Sequence, residues 1–485
     1  MTTPCILAID QGTGSSKCLL VTQDGQVIAR GSAALSESCL QPGWVEQDPE
    51  AIWQSVQDAA RACLLQYPEA KVQAIGLSTQ RESYLLWDRD SGQAISSLVS
   101  WQDQRTKATC EALRTEKSAL MVRERSGLPL DPMFSASKAK WLLDTYDPTR
   151  ARALAGELCL GTVDSWLLWK LTGDHLTETG NASRTQLLNL QSLEWDTDLL
   201  ALFNVPRAAL PELRDSNGSF PNVHTPLPSL EGVPIYAVMG DSHAALFAHG
   251  AFTPGTVKAT YGTGSSVMGL IAEPSRLDPG VCLTIAWSLA GRTQYAAEGN
   301  VRSSGATLRW LADLLGSSPA TLAELASRLE TSPVKIIPAF GGLGAPWWDE
   351  QAVGLISNLS LGSNASDLAY AALESIAQQV GDVLEAVDRS VGLVQELHAD
   401  GGATTNAQLM QLQADLIGRK VLRSENIELS AMGVAHLAGL GAGFWNWQQL
   451  EMLPREQTEF IPVWDKTKRQ VERQDWHRAL ARARG

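Results

Sequence analysis

The five residues Gly-Thr-Gly-Ser-Ser occur twice in this chain, at 12–16 and at 262–266, half a chain length apart in 485 residues. Each copy follows a short apolar run, Cys5-Ile-Leu-Ala-Ile-Asp-Gln11 in one case and Val257-Lys-Ala-Thr-Tyr261 in the other. Each leads into another, Lys17-Cys-Leu-Leu-Val21 and Val267-Met-Gly-Leu-Ile271. Strand, tight turn and returning strand predict a β-hairpin whose tip is mostly backbone and small hydroxyls. Glycine lets the main chain come close to a ligand, and successive N–H groups beside hydroxyls make an anion-binding nest. A single copy reads as an ordinary hairpin turn. Two identical copies at this spacing predict a duplicated fold, with two tips able to hold a polyphosphate between two halves.

A chain of this length exceeds one hydrophobic core and is expected to split in two. Hydrophobic content of 44% and charged content of 19% fit an ordinary globular protein. The formal net charge of −14 disfavours nucleic acid and anionic membrane surfaces as partners. A polyphosphate in such a chain has to be held by backbone N–H groups and a divalent cation more than by a basic patch. The seven cysteines are scattered, and no C-x-x-C occurs. Neither a disulfide framework nor a zinc site is expected, and a reducing cytoplasm is the fitting compartment. The first apolar run is short and ends at Asp10, so no signal peptide is expected. The apolar stretch 431–447 contains His436 and small residues such as Gly439, Gly441 and Gly443, and reads as a closely packed buried helix, not a membrane span.

The first hairpin continues through a turn at Asp24-Gly25 into a third strand, Val27-Ile-Ala29. Asp48-Pro49 is an N-cap followed by proline at the first helical position, and the spacing of Ile52, Val56, Ala60 and Cys63 carries a helix to about residue 67. A strand over 72–78 runs into Thr79-Gln-Arg-Glu82, and 84–87 returns. Helices are predicted around 137–145 and 164–171, ahead of a polar segment Asn181-Ala-Ser-Arg184. Residues 212–231 read as loop, a strand over 233–239 ends at Gly240-Asp241, and a helix starts over 244–249. The second half repeats the theme: a hairpin, helices over 304–315 and 367–391, a strand Glu396-Leu-His-Ala399 meeting Asp400-Gly-Gly402, and a helix from Asn406. The class is α/β with an internally duplicated core, divided as 1–245 and 246–485.

With these elements in order, the chain resembles the FGGY carbohydrate kinases, and glycerol kinases among them. The stretches that carry the resemblance run from Asp10 to about Trp447: Asp10-Gln-Gly-Thr-Gly-Ser-Ser-Lys17, Gly43-Trp-Val-Glu46, Gln80-Arg-Glu82, Trp101-Gln-Asp103, Gly127-Leu-Pro-Leu-Asp131, Gly161-Thr-Val-Asp-Ser-Trp166, Tyr261-Gly-Thr-Gly264 and Asp400-Gly-Gly-Ala403. The resemblance implies two actin-like, RNase H-like ATPase domains of the sugar kinase/Hsp70/actin fold with an interdomain cleft. It also implies ATP and Mg²⁺ as cofactors. By similarity, Gly12, Thr13, Gly14 and Ser15 in one half and Gly262 and Thr263 in the other approach the β- and γ-phosphates. Gly402 and Ala403 approach the adenosine side, with Asn406 contacting the nucleotide. Gly305 and Arg309 belong to the adenine-side segment, Arg309 standing where glycerol kinases commonly have Gln. No G-x-x-x-x-G-K-[ST] occurs, so a P-loop is not available for this work.

Asp241 resembles the family's catalytic base, and Asp10 and Asp241 are the expected Mg²⁺ residues. Phosphoryl transfer rests mainly on in-line positioning and charge neutralisation, so one carboxylate base and a cation form a sufficient set. A second reading of Asp241 is an N-cap of the following helix, and of Asp10 a turn-capping aspartate. Arg81-Glu82 matches the family's polyol-binding pair, a carboxylate accepting from adjacent hydroxyls while a guanidinium donates to their oxygens; a structural ion pair is the alternative. Trp101 is expected to lay its face on the substrate's carbon chain, although with 16 tryptophans a core role for any one is the default.

Three positions depart from the glycerol kinase pattern. Ser242-His243 replaces Gln-Gln after the base, Met133 replaces an aromatic residue, and Ser266 stands where a Phe follows Gly-Thr-Gly. Such a pocket is larger and more polar on one wall. The expected substrate is therefore a ketose or a polyol longer than glycerol, with glycerol itself as the alternative. His243 is read either as a partner for an extra hydroxyl or as a structural histidine, and Met133 also fits a core filler. A non-catalytic nucleotide-gated regulatory protein is the rival of another class, disfavoured by Asp10, Asp241 and Arg81-Glu82. A chaperone-like ATPase is a third reading, disfavoured because no substrate-binding domain is expected after the duplicated core. The C-terminal segment 466–485 holds seven Lys/Arg against Glu472 and Asp475 and is expected to ion-pair with the acidic body or to form a solvated helix. A homodimer stays open.

Overall fold

Both copies of the repeat form hairpins in the computed structural model, which describes residues 2–224, 227–274 and 277–485. The chain divides into two compact units, each discontinuous in sequence. The first runs through Gly250 and also takes in Leu283–Tyr295 and Leu429–Pro454; the second holds Ala251–Cys282, Ala296–Glu428 and Arg455–Gly485.

The first unit is built on a five-stranded sheet in the order Ile235–Gly240, Ala70–Thr79, Thr3–Gln11, Ser15–Thr22 and Val27–Ala34. The first three of these strands are mutually parallel and the last two form an antiparallel meander. A seven-stranded sheet repeats the order with Lys420–Ser424, Glu396–Asp400, Val257–Tyr261, Ser265–Ile271 and Arg292–Val301, extended by Gln457–Phe460 on one edge and Cys282–Leu289 on the other. The shared order is the duplication that the repeated pentapeptide predicts. The two hairpins nevertheless differ in register. Gln11 pairs with Ser16 across the first, whereas the equivalent Tyr261 pairs with Ser265 across the second. A one-residue offset turns each side chain to the opposite face, so identical letters serve different surroundings.

Local signals explain most of the helices. Asp48 caps Pro49–Gln66 by accepting from the Glu50 amide, and the predicted apolar stripe (Ile52, Val56, Ala60, Cys63) is its buried face. The 27-residue helix Ala365–Val391 starts in a capping box between Asn364 and Asp367. The predicted helices over 137–145 and 164–171 are Ser135–Tyr146 and Val163–Thr172. Two expectations change. The helix placed at 244–249 begins at Asp241, with Gly240 as its N-cap, because the carboxylate at its first turn favours the positive end of the helix. The stretch 212–231 is not all loop: Glu212–Arg214 pairs with Leu176–Glu178, and Pro228–Leu230 is a 3-10 turn, while residues 225 and 226 lie outside the described residues. The polar segment at 181–184 also yields a short helix, Thr179–Ser183.

The small-residue stretch forms the helix Leu429–Gly441, buried within the first unit. No helix among the described residues is long and apolar enough to cross a membrane. All seven cysteines are free thiols. The basic C-terminal segment is a helix, Lys466–Arg484, tied down by ion pairs: Glu472 to the buried Lys335, and Arg473 and His477 to Asp382.

Gly433 shows how tightly the buried helix sits. A Cβ there would lie 1.9 Å from the Ala244 carbonyl oxygen, so the backbone of Leu429–Gly441 touches that of Asp241–Ala248. Gly433→Ala gains up to about 1 kcal/mol of helix propensity but forces the helices apart at about 1–3 kcal/mol. The clash dominates because the obstacle is backbone. We expect a lower urea midpoint for Gly433→Ala; an unchanged or higher midpoint contradicts the packing.

Candidate functional site

In the first unit the chemistry-bearing residues gather at the carboxyl ends of the parallel strands, where open α/β sheets hold ligands. Asp10 stands one residue before the end of Thr3–Gln11, opposite Ser78; Gly240, opposite Thr79, ends Ile235–Gly240 and hands over to Asp241. Gln80, Arg81 and Glu82 follow the strand between them. Ser78 Oγ donates to Asp10 Oδ1 at 2.9 Å.

Arg81 and Glu82 do not pair with one another. Glu82 takes a left-handed φ of 61°, and the Ser83 amide turns back to the Arg81 carbonyl at 2.7 Å. The two side chains therefore meet different partners. Arg81 Nε donates to Asp241 Oδ1 at 3.1 Å, and Arg184 Nε donates to Glu82 Oε1 at 2.5 Å. Asp241 Oδ1 also accepts from the Ser242 amide at 2.6 Å, so this serine acts here through its backbone. Each carboxylate has one oxygen held by an arginine, and the second has no hydrogen-bond partner among the described residues. Asp241 keeps 38% of its side chain exposed against 5% for Arg81, so it is the reachable member. Gly240 makes room for the clamp: a Cβ there would stand 2.5 Å from Arg81 Cδ. His243 is fully buried, with Nε2 3.4 Å from Arg81 Nη1 and 3.3 Å from Thr284 Oγ1. A guanidinium only donates, so Nε2 faces it as an acceptor, in the structural role of the two foreseen for this histidine.

The first glycine tip turns its carbonyls inward. Gln11 Nε2 donates to the Gly12 carbonyl, Gln47 Nε2 to Thr13 and the Leu35 amide to Gly14, at 2.7–2.9 Å. The amides of Thr13 and Gly14 have no acceptor among the described residues, which is the anion-nest arrangement. Trp101 Nε1 donates to Thr13 Oγ1 at 3.1 Å, and its amide bonds Ser83 Oγ. Trp101 is held there by the two motifs around it. Arg105 pairs with Asp103 and Glu46 at 2.7 Å each and lies 3.8 Å from the Trp44 ring centroid and 4.6 Å from that of Trp141.

Met133 is 7% exposed in the turn before Ser135–Tyr146. Its carbonyl and those of Pro132 and Phe134 receive the fully buried Lys138 ammonium at 2.5–3.4 Å. Burial holds the Lys138 pKa at about 8, below the ordinary lysine value.

In the second unit a cleft of about 670 Å³ is lined by Gly262, Thr263, Gly305, Arg309, Gly402, Ala403 and Asn406, all seven of the nucleotide residues foreseen there. Leu308, Pro319, Ala320 and Ala323 supply an apolar wall. The second tip again directs its carbonyls inward: Gly262 accepts from the Gly305 amide, and Thr263 from Ser304 and Ala306, at 2.9–3.1 Å. The amides of Thr263 and Gly264 have no acceptor among the described residues. Arg309 Nη2 donates to Thr263 Oγ1 at 3.0 Å, so this arginine braces the tip from the adenine-side segment. Asn406 lines the cleft and caps Ala407–Ile417, its Oδ1 accepting from the Leu409 amide, so the cap does not use its NH₂ group. Ser266 Oγ donates to the buried Glu298 at 3.0 Å.

Sequence reasoning missed Arg184, the glutamines Gln11, Gln47 and Gln80, and Lys138. Gln11 and Gln80 stand inside two of the quoted motifs but were given no role there, and Arg184 ends a polar run. Among the described residues no three His, Cys, Asp or Glu gather as a metal cage.

Family models match almost the whole chain: the N-terminal domain of the FGGY family of carbohydrate kinases over residues 5–248 and the C-terminal domain over 257–442. An apulose kinase from Pectobacterium atrosepticum is 43% identical, covering 100% of this chain and 99% of that protein. A glycerol kinase from Aromatoleum aromaticum is also 43% identical, covering 99% of each. The crystal structure of a Plasmodium falciparum glycerol kinase with ADP superposes with a TM-score of 0.89 at 27% identity, covering 99% of this chain and 98% of that one. A xylulose kinase from Lactobacillus acidophilus shares the fold with a TM-score of 0.86 at 20% identity, covering 99% and 97%.

Lys138 gives a pH signature. With a folded pKa of about 8, the unfolded chain binds the lysine proton more tightly between that value and the ordinary one near 10.4. Its contribution to stability is therefore lowest below pH 8 and rises with pH across that window. We expect the unfolding free energy of the wild type to gain on that of Lys138→Met between about pH 7.5 and 9.5, measured by denaturant titration at each pH. A difference that does not change with pH contradicts the assignment.

Proposed function

The chain belongs to the FGGY family of carbohydrate kinases, and on that premise we propose that it transfers the γ-phosphoryl group of ATP to a hydroxyl of a ketose or of a polyol longer than glycerol. The observation that carries the reading is Asp241, a reachable carboxylate at a strand end, with one oxygen fixed by Arg81 and the Ser242 amide and the other without a hydrogen-bond partner among the described residues. That second oxygen takes the proton as the substrate oxygen forms its bond to phosphorus and the bond to the leaving ADP oxygen breaks. Glu82 supplies an acceptor for a substrate hydroxyl. Thr13 and Gly14 supply amides for phosphate oxygens, and Trp101 an apolar face. The second unit supplies the nucleotide cleft, with an apolar wall for the base and the Thr263 and Gly264 amides for phosphate.

Asp10 and Asp241 are hard oxygen donors that fit Mg²⁺, which commonly takes one or two carboxylates together with nucleotide phosphates and does not need an all-protein cage. Bound there, the cation would neutralise charge on the transferring phosphates. Met133 in place of an aromatic ring, and the small Ser242 and Ser266, support the longer substrate. Identity over the whole chain does not choose, since relatives at 43% carry the names apulose kinase and glycerol kinase.

Asp241→Asn tests the base. We expect kcat to fall by at least about 100-fold, the scale of a lost general base, with ATP affinity by titration calorimetry changed little. Near-normal turnover contradicts the assignment. Gly402→Val tests the cleft: nothing lies within 4 Å of a Cβ there, so the side chain enters the cleft and not the core. We expect the KM for ATP to rise at least about tenfold with an unchanged melting temperature; an unchanged KM contradicts the nucleotide reading.

A further inference from the structure

We propose that Arg184 is the positioning residue of the substrate site: it fixes Glu82 so that one carboxylate oxygen, Oε2, is presented to a single substrate hydroxyl. The inference rests on the reading of Glu82 as an acceptor for the substrate.

Glu82 is held in a backbone conformation that side-chain-bearing residues seldom adopt. Two contacts hold it there. Ser135 Oγ donates to the Glu82 carbonyl at 2.8 Å, and Arg184 Nε donates to Glu82 Oε1 at 2.5 Å, with 0% of the arginine side chain exposed and 4% of the glutamate. Arg184 is itself mounted rigidly. It follows the helix Thr179–Ser183, whose N-cap Glu178 accepts from the Gly180 and Asn181 amides and from Ser216 Oγ at 2.6–2.8 Å. Its guanidinium carbon stands 5.1 Å from the centroid of the Phe134 ring.

Buried ion pairs are weak sources of stability, because desolvation opposes the attraction. A pair at the edge of a binding site gains another use when it sets direction. Here Oε1 is taken by Arg184, and Arg81 Nε is taken by Asp241. Glu82 therefore offers a substrate one acceptor oxygen, Oε2, in a direction set by Arg184, while the guanidinium of Arg81 has N–H groups besides Nε.

The test is a double-mutant cycle of Glu82→Gln and Arg184→Met, with Arg184→Lys as the conservative variant, assayed by ADP release with saturating ATP and the best polyol or ketose of a panel. We expect each single substitution to raise the KM for the sugar or polyol at least about tenfold while the KM for ATP stays within about twofold. In the Glu82→Gln background, Arg184→Met should add less than about twofold. Arg184→Lys keeps the charge but not the fixed guanidinium geometry, and should also raise the sugar KM. A raised sugar KM for Glu82→Gln with none for Arg184→Lys, or penalties that multiply independently, overturns the positioning role. An unchanged sugar KM for Glu82→Gln overturns the reading of Glu82 and this proposal with it.

Discussion

One left-handed residue organises the first unit's site. Because Glu82 turns the chain at φ 61°, two consecutive charged side chains diverge, Arg81 toward Asp241 and Glu82 toward Arg184. Other features depend on this turn. Gly240 clears space for the Arg81 stem, His243 and Thr284 lie beneath its guanidinium, and Ser83 Oγ, placed just after the turn, receives the Trp101 amide.

The two units show how a duplicated element comes to do two jobs. Both glycine tips direct carbonyls into the protein and leave consecutive amides for an anion. What braces them differs. Glutamine side chains and Trp101 hold the first, while the amino end of Gly305–Leu314 and Arg309 hold the second. The one-residue register offset carries the difference: Ser16 meets Ser55 under the first hairpin, and Ser266 meets Glu298 under the second. The backbone arrangement of the tip is shared, and the side chains that brace it differ.

The repeat, the capping signals and the family motifs made the fold class, the duplication and the set of residues that line the second unit's cleft legible in the sequence. These are local or periodic features, which a linear string preserves. The Arg81–Glu82 pair was legible as two site residues but not as two separate clamps, because the sign of one φ decides that and Glu gives no hint of it. Arg184 lies about a hundred positions from Glu82, and nothing in either neighbourhood points to the other. The same holds for the helix Leu429–Gly441. Its burial was visible in its composition, whereas its place against Asp241–Ala248 depends on where the chain returns, shown only by the contact at Gly433. The sequence places the start of the helix after Asp241 because Gly240-Asp241 reads as a strand end followed by a turn, whereas the helix begins at Asp241 itself.

The measurement that tests the account most directly is kcat/KM for ADP release with ATP and Mg²⁺ across ketoses, pentitols, tetritols and glycerol. The account predicts that a ketose or a polyol longer than glycerol is turned over most efficiently. Saturation by glycerol at low millimolar concentration, with no ketose or tetritol better, contradicts it.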